Sequence, residues 1–325
     1  YGLIGSTEWA EEHAAELKEK AVAYVNMDAA VSGANFNASS VPSLWKLVRA
    51  AARDVRDPRT RKSVYEAWQD RVRESQQETE AAGQATVEPP IGALGSGSDY
   101  TPFLQHLGVP SLDMSFGGDY GVYHSAYDSF NWMAKFGDPT FNYHVAAAQI
   151  WGTVALRLAE ARSLPFDYTD YAAEMRKFVE ETRGTASRRR LANYFDANRV
   201  LGAVKEFAEE AARIDARRRD VLDEFAHTRL RADNSNERAV GRLRRINDAL
   251  MAAERALTDA RGLTGRAWYK HQIYAPGFYT GYAAQPLPDL RQAIDDRNAA
   301  NAREASERIT AAILRAATEL RKARN

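Results

Sequence analysis

The feature that most restricts the fold is a change of texture at Leu164-Pro165-Phe166-Asp167. Before it, short apolar runs alternate with turn-rich stretches, and most of the 20 Gly lie there; after it, Ala, Arg, Glu and Leu recur at helical spacing. A Gly-punctuated first part reads as a mixed α/β domain, and the second part reads as a helical bundle. The expected architecture is therefore an α/β domain over residues 1–166, a mixed sheet flanked by helices, followed by an all-α bundle over residues 167–325. A length of 325 residues leaves each part able to bury a core.

The local patterns refine this division. Ala21 to Asp28 predicts a buried strand, preceded by a helix over 7–20 with Ser6 or Thr7 as its cap. Further helices are expected over 43–55, from about 98 and over 139–161, with a second strand over 110–116 and a Gly-Gly turn at 117–118. Beyond Asp167 the spacing predicts helices over 168–183, 197–232, 237–258 and 288–323. They are interrupted once, by the aromatic and Gly/Pro-rich stretch Trp268 to Tyr282, a candidate binding loop because Pro276 ends any helix there.

Composition removes several function classes. Lys and Arg number 44 against 44 Asp and Glu, so no electrostatic footprint for nucleic acid is present, and Arg188–Arg190 and Arg217–Arg219 read as solvated helix faces. Cys is absent, so any metal must be held by His and carboxylate. The longest small-apolar stretch, Val145 to Leu158, contains Gln149 and Arg157 and is too short for a membrane span. The chain opens on Tyr1 with neither a basic nor an apolar leader segment, which reads as a cut.

Three segments could carry chemistry. Tyr123-His124-Ser125-Ala126-Tyr127-Asp128 follows a strand and a Gly-rich turn, where an imidazole suits zinc ligation or simply sits at the surface. Asp28 closes the first strand, as a ligand or as a turn residue. Leu94-Gly-Ser-Gly-Ser-Asp-Tyr-Thr-Pro-Phe103 lets backbone approach a ligand closely at a helix start, although its Gly could equally serve a tight turn. Asn37-Ala-Ser39 fits a glycosylation acceptor, a common chance match.

Taken together with Tyr1 to Glu12, Leu164 to Asp167 and Ile273 to Pro276, these segments occur in the order and spacing of one family. The chain resembles the glutamate carboxypeptidase II and transferrin receptor group over essentially its whole length. The resemblance implies the later part of a co-catalytic two-zinc peptidase domain, its N-terminal portion missing here, and a helical domain through which such proteins form homodimers. It implies Asp28 on one zinc, His124 on the other and Tyr123 as the catalytic hydroxyl that steadies the tetrahedral oxyanion; a packed structural ring is the alternative for Tyr123. Ser96, Gly97, Ser98 and Tyr282 match substrate-binding positions. Glu8 and Glu11, spaced i,i+3, match carboxylates on a structural calcium, or are helix-start carboxylates favoured by the dipole.

In the family the general-base Glu and three zinc ligands stand before the segment that opens this chain. The expectation is accordingly a fragment with two of five zinc ligands, inactive by itself. Gly281 stands where the best-known member has Lys, Ser98 where it has Asn, and 111–120 hold no Arg, so strict glutamate specificity is not expected. The competing readings are a noncatalytic receptor-like or scaffolding homologue and a plain helical interaction module. The apolar stripe from Leu287 to Leu320 would serve dimerisation or seal the bundle's own core. The resemblance further suggests an extracytoplasmic setting.

Overall fold

The computed structural model describes residues 2–77, 88–228 and 235–323. The end of the helix expected over 197–232 and Tyr1 lie outside them. The N-terminal helix is two helices, α1 (Ile4–Glu12) and α2 (Ala14–Lys20), broken at His13. Neither Ser6 nor Thr7 caps it: Leu3, at φ 65°, occupies that position, and the Ser6 hydroxyl instead reaches Asp99 at 2.6 Å.

β1 (Tyr24–Asn26) is shorter than expected and leaves Asp28 just past its end. It pairs in parallel with β3 (Ser111–Gly117), which lies at the centre of a three-stranded sheet and pairs antiparallel with β2 (Asn35–Ser40) on its other side. β3 turns Leu112, Met114 and Phe116 into the core. β2 was not foreseen, since Asn-Phe-Asn-Ala-Ser-Ser is poor in strand-forming residues. It nevertheless alternates, Phe36, Ala38 and Ser40 inward and Asn37 outward, because β3 supplies a partner 70 or more residues away in sequence.

Helices cover the sheet. α3 (Trp45–Asp54) follows a single 3₁₀ turn and buries Leu47, Val48, Ala51 and Ala52, a spacing of one helical face. α4 (Val64–Gln77) packs Trp68 edge-on to Phe36. The helix expected from about 98 is only a π-helical turn over Pro102–His106, and a second such turn, Met133–Gly137, follows the one-turn α5 (Phe130–Trp132). α6 (Asn142–Ala159) closes this part; Asp138 accepts from the amides of Tyr143 and His144, both at 3.0 Å, satisfying its first turn.

Asp167 then starts α7 (Tyr168–Arg188) by accepting from the amides of Thr169 and Asp170. α8 (Ala197–Thr228), α9 (Ser235–Ala256) and α11 (Ala299–Lys322) pack against one another, with α7 against α8. The helix expected over 288–323 is α10 (Pro288–Asp295) and α11, parted at Asn298. Inside the irregular stretch a two-stranded ribbon forms from β4 (Tyr274–Pro276) and β5 (Ala284–Pro286).

One expectation is corrected and one alternative is resolved. Arg218 is no solvated charge: it is mostly buried and donates to the carbonyls of Leu164 and Phe166 at 3.0 and 2.8 Å, tying α8 to the segment that enters the bundle. The stripe on α10 and α11 faces inward, with Leu287, Leu290, Ile309, Ile313 and Leu320 at 0–1% exposure, so it seals the bundle's own core. That core is continuous with the one beneath the sheet.

Candidate active site

One cavity of about 800 Å³ gathers most of the residues the motifs pointed to. Asp28 enters it from the end of β1, Ser96 and Gly97 from the loop before the π-helical turn, Tyr123 and His124 from the loop after β3, and Tyr282 from the β4–β5 connection. Residues far apart in sequence meet here because the end of β1, the loop beyond β3 and the ribbon open toward the same side.

The backbone is unusual at one candidate ligand and just after the other. His124 lies at φ 59° and Ala29, just after Asp28, at φ 42°. Side chains rarely adopt that region without cost, and such outliers collect at functional loops. The ring of His124 stacks on Tyr123 with centroids 3.8 Å apart, and neither the His124 nitrogens nor the Asp28 carboxylate makes a hydrogen bond among the described residues. A carboxylate and an imidazole with uncommitted lone pairs are the donor types zinc takes. The donor set thus fits zinc in kind, although among the described residues no three such side chains converge as a complete metal-holding group.

Beneath this surface lies a carboxylate that sequence patterns gave no reason to single out. Asp113, on the central strand, accepts from Asn26 Nδ2 at 2.9 Å and from the backbone amide of Asp28. Burial pushes its carboxyl above the usual range, and Asn26 opposes the shift. Asn26 also donates to Ser98 Oγ at 3.1 Å. Ser98 is thereby buried at 6% exposure and stands behind the cavity wall, whereas Ser96 and Gly97 form it, so the expectation that Ser98 faces substrate does not match its placement.

Tyr120, Asp128 and His144 also line the cavity, and their pairings were equally unforeseen. The Tyr120 hydroxyl donates to Asp128, and partial burial together with that carboxylate pushes the phenol up to about 12. His144 binds Asp138 through Nδ1 at 2.8 Å, which leaves its other nitrogen directed elsewhere. Away from the cavity, Glu8 and Glu11 are exposed on α1, and Glu11 already accepts from Trp268 Nε1.

Comparison with known proteins gives two family matches. Residues 1–137 match Peptidase family M28, and residues 195–321 match the transferrin receptor-like dimerisation domain. Similar proteins include a probable glutamate carboxypeptidase, LAMP1, of Arabidopsis thaliana, 40% identical over 99% of this chain and 43% of its own length. Another is a probable glutamate carboxypeptidase of Arthroderma benhamiae, 34% identical over 98% of this chain and 41% of its own. The aminopeptidase NAALADL1 of Rattus norvegicus is 30% identical over 85% of this chain and 36% of its own. The chain spans less than half the length of these curated relatives.

Proposed function

The chain belongs to the glutamate carboxypeptidase II and transferrin receptor group of peptidase family M28, and on that premise we propose that it forms part of a two-zinc peptidase, residues 1–166 bearing site residues and 167–325 serving as the helical dimerisation domain. The observation that carries this reading is the convergence of Asp28, Tyr123, His124 and Tyr282 on one cavity, with His124 held in a left-handed conformation.

In this reading Asp28 would hold one zinc and His124 the other. Bound zinc would polarise a peptide carbonyl and bring a water toward its conjugate base near neutral pH. The protein's own part is positioning: Asp113 holds the Asp28 backbone from below, and the stacked Tyr123 ring fixes the His124 loop. By the family resemblance, the Tyr123 hydroxyl would donate to the oxyanion that forms on the attacked carbonyl, a contact made mainly in the transition state. Tyr282 offers a hydroxyl to the substrate carboxylate, and Ser96 and Gly97 present backbone to the peptide. Without an ammonium at Gly281, the carboxylate loses a charge-assisted bond, so small or apolar peptides are expected to be cleaved at least as well as acidic ones.

The same resemblance assigns this chain two of the five zinc ligands, so the 325 residues alone are expected to bind zinc weakly and to turn over no peptide. The test uses a longer polypeptide containing these residues and measures zinc per chain and peptide turnover. The parent is expected to carry two zinc ions, and His124→Ala or Asp28→Ala to lose at least one together with activity. Tyr123→Phe should keep both ions while kcat falls about 10²–10³-fold. Full zinc content and turnover in His124→Ala would refute the assignment, and a parent without zinc would favour the noncatalytic, receptor-like reading. Glu8 and Glu11 remain the proposed calcium carboxylates; calorimetry with calcium on Glu11→Ala against the parent tests them, equal binding counting against the site.

A further inference from the structure

A seam of buried polar groups joins the two walls of the cavity, and none of them touches it. Gln105 is the centre of this seam and is fully buried. It lies in the π-helical turn Pro102–His106, at the end of a helical segment where carbonyls have no partner in the next turn. Its carbonyl instead accepts from the amides of Lys270 and His271 at 2.7 and 3.0 Å, across the seam. Its side-chain amide reaches the other way and donates to the carbonyls of Gly95 and Leu94. The Ser96 amide, one residue on, donates to the Tyr282 carbonyl at 2.9 Å.

His271 anchors the far side. It has no exposure, and its Nδ1 accepts from the amides of Ile273 and Tyr274, both at 3.1 Å. A nitrogen facing two donors carries no proton, so the ring proton sits on Nε2 and is donated to Glu254 Oε1 at 3.0 Å. That oxygen also accepts from the Tyr171 hydroxyl at 2.7 Å, which ties α7, α9 and the start of β4 together at one buried carboxylate. Gly95 makes the fit tight, because a Cβ there would overlap the Tyr282 carbonyl and the Ala284 amide.

We propose that Gln105 and His271 are positioning residues that hold Tyr282 in register with the Ser96–Gly97 wall. The inference rests on the reading of that cavity as the peptide site. Each wall alone is a loop, and loops shift readily; closed into one hydrogen-bonded circuit through Gln105, they keep a fixed gap. Buried polar groups that lose a partner cannot turn to water, so the circuit holds or fails as a unit.

The test applies hydrogen exchange and steady-state kinetics to the intact zinc-bearing protein in parent, Gln105→Met, His271→Asn and Tyr282→Phe forms. Gln105→Met keeps the volume and loses the amide. It should speed exchange of the Ser96 amide and of residues 277–283 about tenfold, leave α6 amides at the parental rate, and raise KM about tenfold with kcat within twofold. His271→Asn keeps an acceptor for the 273 and 274 amides, loses the reach to Glu254, and should act in the same direction. Tyr282→Phe should raise KM with exchange unchanged. Parental exchange at Ser96 and 277–283 in folded Gln105→Met overturns the inference, as does a fall in kcat with KM unchanged. A parental KM in Tyr282→Phe overturns instead the reading of Tyr282 as a substrate contact, and the exchange rates then decide the circuit alone. If neither circuit variant folds, nitrogen NMR of the parent decides: the Nε2–H form of His271 is required, and an Nδ1–H ring overturns the proposal.

Discussion

At the scale of single residues, the site depends on groups that do no chemistry themselves. Asp113 is the clearest case, since beneath the cavity floor it accepts from the Asp28 amide and from Asn26, which in turn reaches Ser98. Asp113→Ala would leave a buried Asn26 N–H without a partner and is expected to cost about 1–3 kcal/mol. Asp113→Asn keeps an acceptor and relieves the burial of charge, so it should stay near parental stability; denaturant titration of the two variants checks the pair. Gly33 is required sterically, because a Cβ there would come within 2.5 Å of Gly117 O and Gly118 Cα where the 31–34 segment passes the end of β3. Gly33→Ala is expected to destabilise by about 1–3 kcal/mol, an overpacking cost, read as a lowered midpoint at unchanged slope. Asp28, Tyr123, His124 and Tyr282 were legible as motifs. Asp113, Gln105 and His144 were not, for each acquires its role from a partner far along the chain or behind the surface.

At the scale of elements, sequence pattern located helices well where one face is buried and failed where a strand owes its existence to its neighbour. α3, α6, α7 and α9 lie close to the expected spans because their apolar residues repeat on one face. β2 escaped notice because its composition argues against a strand and only the β3 register creates it. The final helix was read as continuous, since Asp296-Arg-Asn-Ala-Ala-Asn keeps a helical composition. Asn298 ends that continuity: its Oδ1 accepts from the amides of Ala300 and Asn301 at 3.1 and 3.0 Å, starting a new helix. Asn298→Ala should therefore cost about 0.5–2 kcal/mol, and Asn298→Asp, which keeps the cap, should restore most of it. Thermal unfolding followed by circular dichroism resolves that difference, and equal midpoints for Ala and Asp would contradict the capping role.

At the scale of the whole molecule, the sheet and the bundle share one continuous core, and Lys46, Arg218 and Arg255 tie the two parts together by hydrogen bonds. Among the described residues no helix is long and apolar enough to cross a membrane. Two groups make the assembly acid-sensitive. His106 donates through Nδ1 to the Trp268 carbonyl at 2.8 Å, and Lys270 Nζ faces its Nε2 at 3.0 Å. Burial, and after it the Lys270 charge, hold this imidazole below its usual 6.5. The unfolded chain therefore binds the proton first, and stability falls as pH drops below about 6.5. Asp259 shifts for a different reason: the Arg261 guanidinium beside it, with Arg308 behind, holds its carboxyl below the usual 3.8. Its contribution is present above that value and is lost as pH falls beneath it. The melting temperature should thus decline in two stages as pH is lowered from 7 to about 2, one opening below about pH 6.5 and the other below about pH 4. His106→Gln should remove the upper stage and Asp259→Asn the lower; a single step common to all three proteins would contradict both assignments.

The sequence by itself determined the division into a Gly-punctuated mixed part and a helical part, the family, and the residues whose neighbours in the chain form motifs, because these follow from local periodicity and from short-range order. Only the tertiary structure decided that Ser98 turns away from the cavity, that the α11 stripe is spent on the bundle's own core, and that Tyr282 meets Ser96. Those outcomes depend on which surfaces and buried donors find each other between residues far apart in the chain, and no local pattern carries that information.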